Sequence, residues 1–231
     1  MKIIKALVFD VFGTVVDWRG SIIREVQATW PGVDAPAFAD AWRAGYVPAM
    51  NRARRGEIAW TNIDGLHRGI LDEIRPRFGL GDLSEPEVDA LNRAWHRLNP
   101  WPDVVAGLQR LKARHVISTL SNGNVALLVD MAKHAGLPWD CVLSAELFQH
   151  YKPDPETYLG AARLLCLPPE QVMMVAAHNH DLKAAQKLGL KTAFVARPSE
   201  YGPLQKYDFD ATGEWDIVTM DFGGIADRMG C

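Results

Sequence analysis

The sequence predicts a doubly wound α/β fold on a parallel sheet, with a helical cap inserted after the first strand. Three observations predict it. Short apolar runs recur along the chain, and each stops at a polar cluster. From residue 100 onward, helical patterns fill the gaps between these runs. Residues 15 to 98 carry helical spacing and no convincing strand.

The first run, Lys5 to Phe9, ends at Asp10 and is broken by Gly13. A continuous apolar run of this kind suits a strand buried on both faces of a parallel sheet. Val116 to Leu120 is comparable and closes on Ser121-Asn122-Gly123. Val172 to Ala177 closes on His178-Asn179-His180-Asp181. Thr192 to Ala196 precedes Arg197-Pro198, and Asp216 to Met220 is a weaker fifth candidate. Between them, Asp103 to Ala113 has helical spacing and a basic end, and Asn124 to Ala135 is closed by Gly136. Pro155 to Leu165 opens on Pro-Glu, a normal first turn, and Leu182 to Leu188 closes on Gly189. In the insert, Phe38, Ala41, Trp42, Gly45, Tyr46 and Ala49 fall at helical spacing, and Trp60 to Ile74 is amphipathic. The expected division is a Rossmann-like core of residues 1–14 plus 99–231 and a helical cap domain of residues 15–98.

Composition narrows the function. The chain has 231 residues, 48% of them hydrophobic, and a net charge of −3. That balance argues against a nucleic-acid binder with a basic surface, while leaving room for a local pocket for a small anion. Cys141, Cys166 and Cys231 are odd in number, far apart and without metal-ligand spacing, as for reduced thiols in a cytoplasmic protein. No apolar run is long enough to span a bilayer, so no membrane partner is expected. The opening MKIIKALVFDVFG runs into an acidic residue and lacks a small-residue cleavage site, so it reads as a strand and not a signal peptide.

In a parallel sheet, ligands bind beyond the carboxyl ends of the strands, where the strand order switches. The residues ending the strands are therefore the informative ones. They are Asp10, then Ser121-Asn122, then the polar string up to Asp181, with His150-Tyr151-Lys152-Pro153-Asp154 lying between the latter two. Two carboxylates, a hydroxyl, an amide and an ammonium can converge on one crevice. A surface Lys or a turn Asp alone is usually just solvated. It is their occurrence together at successive strand ends that points to a site.

Four segments, in order, resemble the motifs of the haloacid-dehalogenase superfamily. They are Phe9-Asp10-Val11-Phe12-Gly13-Thr14-Val15, Leu120-Ser121-Asn122-Gly123, Tyr151-Lys152-Pro153-Asp154, and Asp181 within its polar string. The resemblance covers essentially the whole chain, insert included, and implies that Asp10 is a nucleophile forming a covalent ester. Phosphatases of the superfamily carry a second Asp two residues after the nucleophile, which protonates the leaving oxygen. Here that residue is Phe12, which cannot transfer a proton. An alkoxide leaves poorly without one, whereas a halide needs only a site that stabilises its charge. Loss of that carboxylate also removes part of the oxygen ligation that Mg²⁺ prefers. Lys152 can instead neutralise Asp10 and Asp181, so no metal and no cofactor are expected.

Within the superfamily the sequence is most similar to the L-2-haloacid dehalogenases. Trp42-Arg43 matches a Trp-Arg pair on their cap helix, Ser121-Asn122-Gly123 matches their Ser-Asn-Gly, and Tyr158 matches a Tyr six residues after the motif Lys. The resemblance implies that Asp10 attacks the α-carbon of a small 2-haloalkanoic acid opposite the halogen. Water then cleaves the ester at the Asp10 carbonyl, giving an inverted hydroxy acid. Arg43 would receive the halide with Asn122 nearby. Ser121 and backbone N–H groups around Val11 and Phe12 would hold the carboxylate. Thr14 and Lys152 would orient and neutralise Asp10, and Asp181 would position Lys152 and the water. Tyr158 would reach toward the site from its helix. Related enzymes are often dimers, which leaves a homodimer open.

The fourth motif departs from the family's Ser-Ser-Asn-x-x-Asp. It reads Ala176-Ala177-His178-Asn179-His180-Asp181. An imidazole thus replaces the amide three residues before Asp181. Because imidazole titrates near neutrality, His178 is a candidate to bind or deprotonate the hydrolytic water; the plainer alternative is a hydrogen bond to a neighbouring loop. His180 stands where the family often has a Trp wall and could equally be exposed. Arg43 lies one step beside the apolar stripe of Phe38, Trp42 and Tyr46. Tyr46 and Trp60 are candidate pocket residues, with core packing the simpler account of Trp60. The altered pocket brings fluoroacetate in as a candidate substrate. Two other readings stand beside the dehalogenase: a phosphatase that has replaced its acid, and a non-catalytic binding protein on the same fold.

Overall fold

Ala6–Phe9 forms β1, which lies fully buried at the middle of the sheet, as its unbroken apolar sequence demands. The computed structural model describes residues 4–231, apart from the side chain of residue 204. After β1 come a two-residue strand β2 (Val16–Asp17) and five helices: α1 (Trp18–Thr29), α2 (Ala35–Ala44), α3 (Tyr46–Arg54), α4 (Ile63–Ile74) and α5 (Glu85–Asn92). Strand β3 (Asn99–Pro100) pairs antiparallel with β2 and closes the insert. The core resumes with α6 (Val104–Lys112), β4 (Val116–Ser121), α7 (Val125–Ala135), β5 (Cys141–Ser144) and α8 (Pro155–Leu164). It ends with β6 (Val172–Ala176), α9 (Asn179–Lys187), β7 (Lys191–Val195), β8 (Ile217–Thr219) and α10 (Phe222–Met229).

The six core strands lie in the order β5-β4-β1-β6-β7-β8, and every pairing is parallel. The chain therefore runs outward from β1 to one edge, then returns beside β1 to build the other half. The switch falls at β1, where Phe9 is in register with Thr119 on one side and Val175 on the other. A crevice opens at such a point because the two halves diverge there. The main core cluster spans the sheet and the insert, with Phe9, Trp18, Trp42 and Trp95 all fully or almost fully buried.

Four details differ from the sequence reading. Strand β5 was not expected; it is four residues long and lies at the sheet edge, so no long apolar run announces it. The short pair β2–β3 puts a small ladder at the entry and exit of the helical region, where only helix was expected. The helix after β6 begins at Asn179 rather than Leu182. His178 is thus its N-cap residue, and Asp181 stands in its first turn instead of in a loop. The helical stretch 38–49 is two helices, divided at Gly45, where a Cβ would lie 2.5 Å from Ile70. No described helix is long and apolar enough to cross a membrane.

Candidate active site

The switch point carries a buried charge network centred on Asp10. The backbone N–H of Asp10 continues the sheet pattern to Val175 O at 3.0 Å, which fixes the carboxylate at the tip of β1. Lys152 Nζ donates to Asp10 Oδ1 at 2.9 Å and to Asp181 Oδ2 at 2.5 Å. The place between the two carboxylates where a cation would sit is thereby taken by the ammonium. Thr14 Oγ1 donates to Asp10 Oδ2 at 2.7 Å and accepts from Ala177 N at 2.9 Å, tying the first motif to the tip of β6. Tyr158 OH donates to Asp181 Oδ1 at 2.5 Å. Asp10 and Lys152 are each only 8% exposed, so their charges act through little water.

Titration follows from that geometry. Burial would raise the pKa of Asp10, but Lys152, His178 and Thr14 together hold it well below the ordinary carboxylate range. Burial likewise works against the Lys152 ammonium, and Asp10 and Asp181 reverse it and hold the proton on. The Tyr158 hydroxyl is pushed upward by burial and by the adjacent Asp181, so it stays a donor. Asp10 is thus an anion at neutral pH, which a nucleophile requires.

His178 bridges two carboxylates. Its Nδ1 lies 3.0 Å from Asp10 Oδ2, and its Nε2 lies 2.9 Å from Glu200 Oε2. Glu200 is 1% exposed and also accepts from Trp18 Nε1 at 3.1 Å. Glu200 was not among the residues singled out from sequence. It lies beyond Arg197-Pro198, after the tip of β7, and the rule that strand ends carry the chemistry would have reached it. His178 therefore faces Asp10 with one nitrogen and with the other meets a buried acid from the loop after β7, so the neighbouring-loop bond is present beside the contact with Asp10.

A cavity of 350 Å³ opens beside Asp10. Its wall includes Phe12, Arg43, Ser121, Asn122, Tyr158 and His178. The Phe12 ring is turned into the site, edge-on to Trp95 with centroids 5.9 Å apart. Arg43 comes from the end of α2 and stacks over Tyr46 at 4.3 Å; its Nε is buried with no hydrogen-bond partner among the described residues. Asn122 is held in place by Lys152 N, which donates to its Oδ1 at 2.6 Å. Ser121 Oγ accepts from Gly123 N at 3.1 Å. The fold brings these residues together around one cavity.

The remaining candidates are placed as follows. The Val11 side chain is packed into the main core and does not line the cavity, consistent with the expectation that named its backbone N–H and not its side chain. Only its backbone remains available for substrate. Trp60 stacks on Tyr151 at 6.0 Å in a small satellite core and does not line the cavity, whereas Tyr46 does. His180 sits at the cavity mouth and is exposed, so both of its alternatives hold. Arg54 does more than face solvent: it lines the mouth and donates to the carbonyls of Tyr151 and Lys152 at 3.3 and 2.5 Å, joining α3 to the third motif.

The chain is similar to known proteins along most of its length. Residues 4–189 match the model of the haloacid dehalogenase-like hydrolases. The chain is 30% identical over 240 residues to (S)-2-haloacid dehalogenase 4A of Burkholderia cepacia, covering 94% of this chain and 96% of that protein. It is 50% identical to an L-2-haloacid dehalogenase of known crystal structure, with a TM-score of 0.95 over 98% of this chain and 99% of that one. A defluorinating L-2-haloacid dehalogenase is 46% identical, with a TM-score of 0.94 over 99% of this chain and 96% of that one.

Proposed function

The chain belongs to the haloacid dehalogenase-like hydrolases, and we propose that it hydrolyses the carbon–halogen bond of small 2-haloalkanoic acids through an ester on Asp10. The observation that carries this reading is Phe12. The side chain two residues after the nucleophile faces the cavity and is an aromatic ring packed against Trp95. A leaving alkoxide would find no proton donor there, whereas a halide needs none.

Asp10 attacks the α-carbon in line with the departing halide, and the configuration inverts. The Lys152 ammonium keeps Asp10 ionised and, with Thr14, aims it. Arg43 receives the halide; its unpartnered buried Nε is a donor in want of an anion. Asn122 lies on the same wall. Ser121 and the backbone N–H groups at Val11 and Phe12 hold the substrate carboxylate, and Tyr158 steadies Asp181. In the second step His178 takes a proton from water as it adds to the Asp10 carbonyl, and the hydroxy acid leaves. The helical region 15–98 acts as a cap over this chemistry, since Arg43, Tyr46 and Arg54 all reach the cavity from it. The three free cysteines support a reducing, cytoplasmic setting.

The similarity to a defluorinating relative brings fluoroacetate into the substrate range. The test is halide release from chloroacetate, fluoroacetate and both enantiomers of 2-chloropropionate, with and without a chelator. Phosphate release from a phosphomonoester with Mg²⁺ is run beside it. Halide release unaffected by chelation, preferring the (S) enantiomer, is expected. Phosphate release without halide release overturns the reading.

A further inference from the structure

We propose that His178 carries its proton in the free enzyme and gives it up when Asp10 becomes an ester, so the proton of the overall reaction leaves in the first half-reaction. This rests on the reading of Asp10 as the nucleophile and adds to it a switch that arms the base.

The geometry makes the case. Both ring nitrogens of His178 face carboxylate oxygens, Asp10 Oδ2 at 3.0 Å and Glu200 Oε2 at 2.9 Å. An ionised carboxylate only accepts, so both nitrogens must donate, and an imidazole with two N–H groups is a cation. The ring is 6% exposed, so water does not supply an alternative partner for either face. Burial would lower its proton affinity, but Glu200 and Asp10 outweigh it and raise the pKa well above 6.5. Other charged or titratable groups face the pair from each surrounding element. His180 is on α9 with ring centroids 5.8 Å away, Lys152 and Asp181 lie beyond Asp10, and Arg43 and Tyr201 lie toward Glu200.

A cation cannot be a base. Attack by Asp10 breaks the carbon–halogen bond and forms the ester carbon–oxygen bond, and the halide leaves with the bonding pair. Asp10 then has no charge, and one of the two anions that held the proton on His178 is gone. His178 releases that proton to solvent and becomes neutral, with Glu200 keeping the remaining N–H oriented. Water then adds to the Asp10 carbonyl, one of its protons passes to His178, and the other ends on the departing hydroxyl. Asp10 returns as a carboxylate and His178 as a cation. One haloacid and one water have become one hydroxy acid, one halide and one proton. Glu200 is a positioning residue here, because it touches His178 and not the substrate.

The test reads His178 directly. In protein labelled with ¹⁵N-histidine, the His178 resonances are assigned by their loss in His178→Gln. Asp10→Asn removes the same charge that esterification removes, with almost the same shape. Both His178 nitrogens of the wild type are expected to be protonated at pH 7. The proton affinity is expected to fall at least tenfold in Asp10→Asn, and independently in Glu200→Gln. A wild-type His178 neutral at pH 7, or a midpoint unmoved in Asp10→Asn, overturns the proposal; a midpoint unmoved in Glu200→Gln alone overturns the positioning role of Glu200. Halide release from chloroacetate by the wild type is measured separately. Its absence refutes the dehalogenase reading, whereas the resonances alone decide the state of His178.

Discussion

Gly13 lies against the Glu200 carboxylate so closely that a Cβ on it would stand 2.1 Å from Glu200 Oε1. Gly13 also has φ +86°, a conformation that side chains resist. The first motif therefore leaves room for the acid that holds His178. Gly13→Ala is expected to cost about 1–2 kcal/mol from the backbone alone, a Tm loss of roughly 2–8 °C for a chain of this size. It should also cut halide turnover by displacing Glu200. A melting curve and rate equal to wild type would contradict this placement.

Lys152 compensates two buried carboxylates at once. Lys152→Met leaves Asp10 and Asp181 facing each other without the ammonium between them. Halide release is expected to fall by two to three orders of magnitude, about the effect of removing one preorganised donor from an active site. Removing one partner of a buried ion pair also costs about 3–5 kcal/mol, so denaturant unfolding should shift to lower midpoint. Activity within a factor of three of wild type would refute the role.

Arg43 Nε is buried without a hydrogen-bond partner among the described residues, and the guanidinium is fixed by its stack on Tyr46. Arg43→Lys keeps the charge and loses the planar fork, so it should not substitute. Both Arg43→Ala and Arg43→Lys are expected to lose at least tenfold in kcat and to weaken inhibition by added chloride or bromide. Unchanged halide inhibition would remove Arg43 from the halide site.

His96 joins α4 to α7, with Nε2 3.0 Å from Asp64 Oδ1 and Nδ1 2.8 Å from Asp130 Oδ2. Burial would lower its pKa, but the two carboxylates raise it above the ordinary 6.5. The folded state thus holds the proton more tightly than the unfolded chain. The resulting stability is complete below about pH 6.5 and is lost as pH rises through the folded value. The Tm difference between wild type and His96→Gln should therefore shrink between about pH 6 and about pH 9. A difference that stays constant over that range would contradict the account.

Much of this site was legible because each motif is local and ends a strand. Asp10 follows β1, Ser121 ends β4 and the His178–Asp181 string begins two residues beyond β6, so strand ends located them without any tertiary knowledge. Two features were not legible from spacing alone, and Arg43 was reached only through the family resemblance. Arg43 appeared beside the apolar stripe because the helix ends at Ala44, and its long side chain reaches the cavity from the last turn. Glu200 is 22 residues from His178 and follows β7 in a segment with no pattern of its own, so only the folded chain joins the two. Strand β5 was missed because four residues at an edge, two of them only partly buried, leave little periodicity to read.

The account stands or falls on the bond between Asp10 and the substrate carbon. A single turnover of 2-chloropropionate with enzyme in excess, run in H₂¹⁸O, tests it most directly. The peptide containing Asp10 is predicted to gain one ¹⁸O, and the lactate to carry none in its hydroxyl. Label in the lactate hydroxyl with an unlabelled Asp10 would mean that water attacks carbon itself, and would contradict the mechanism.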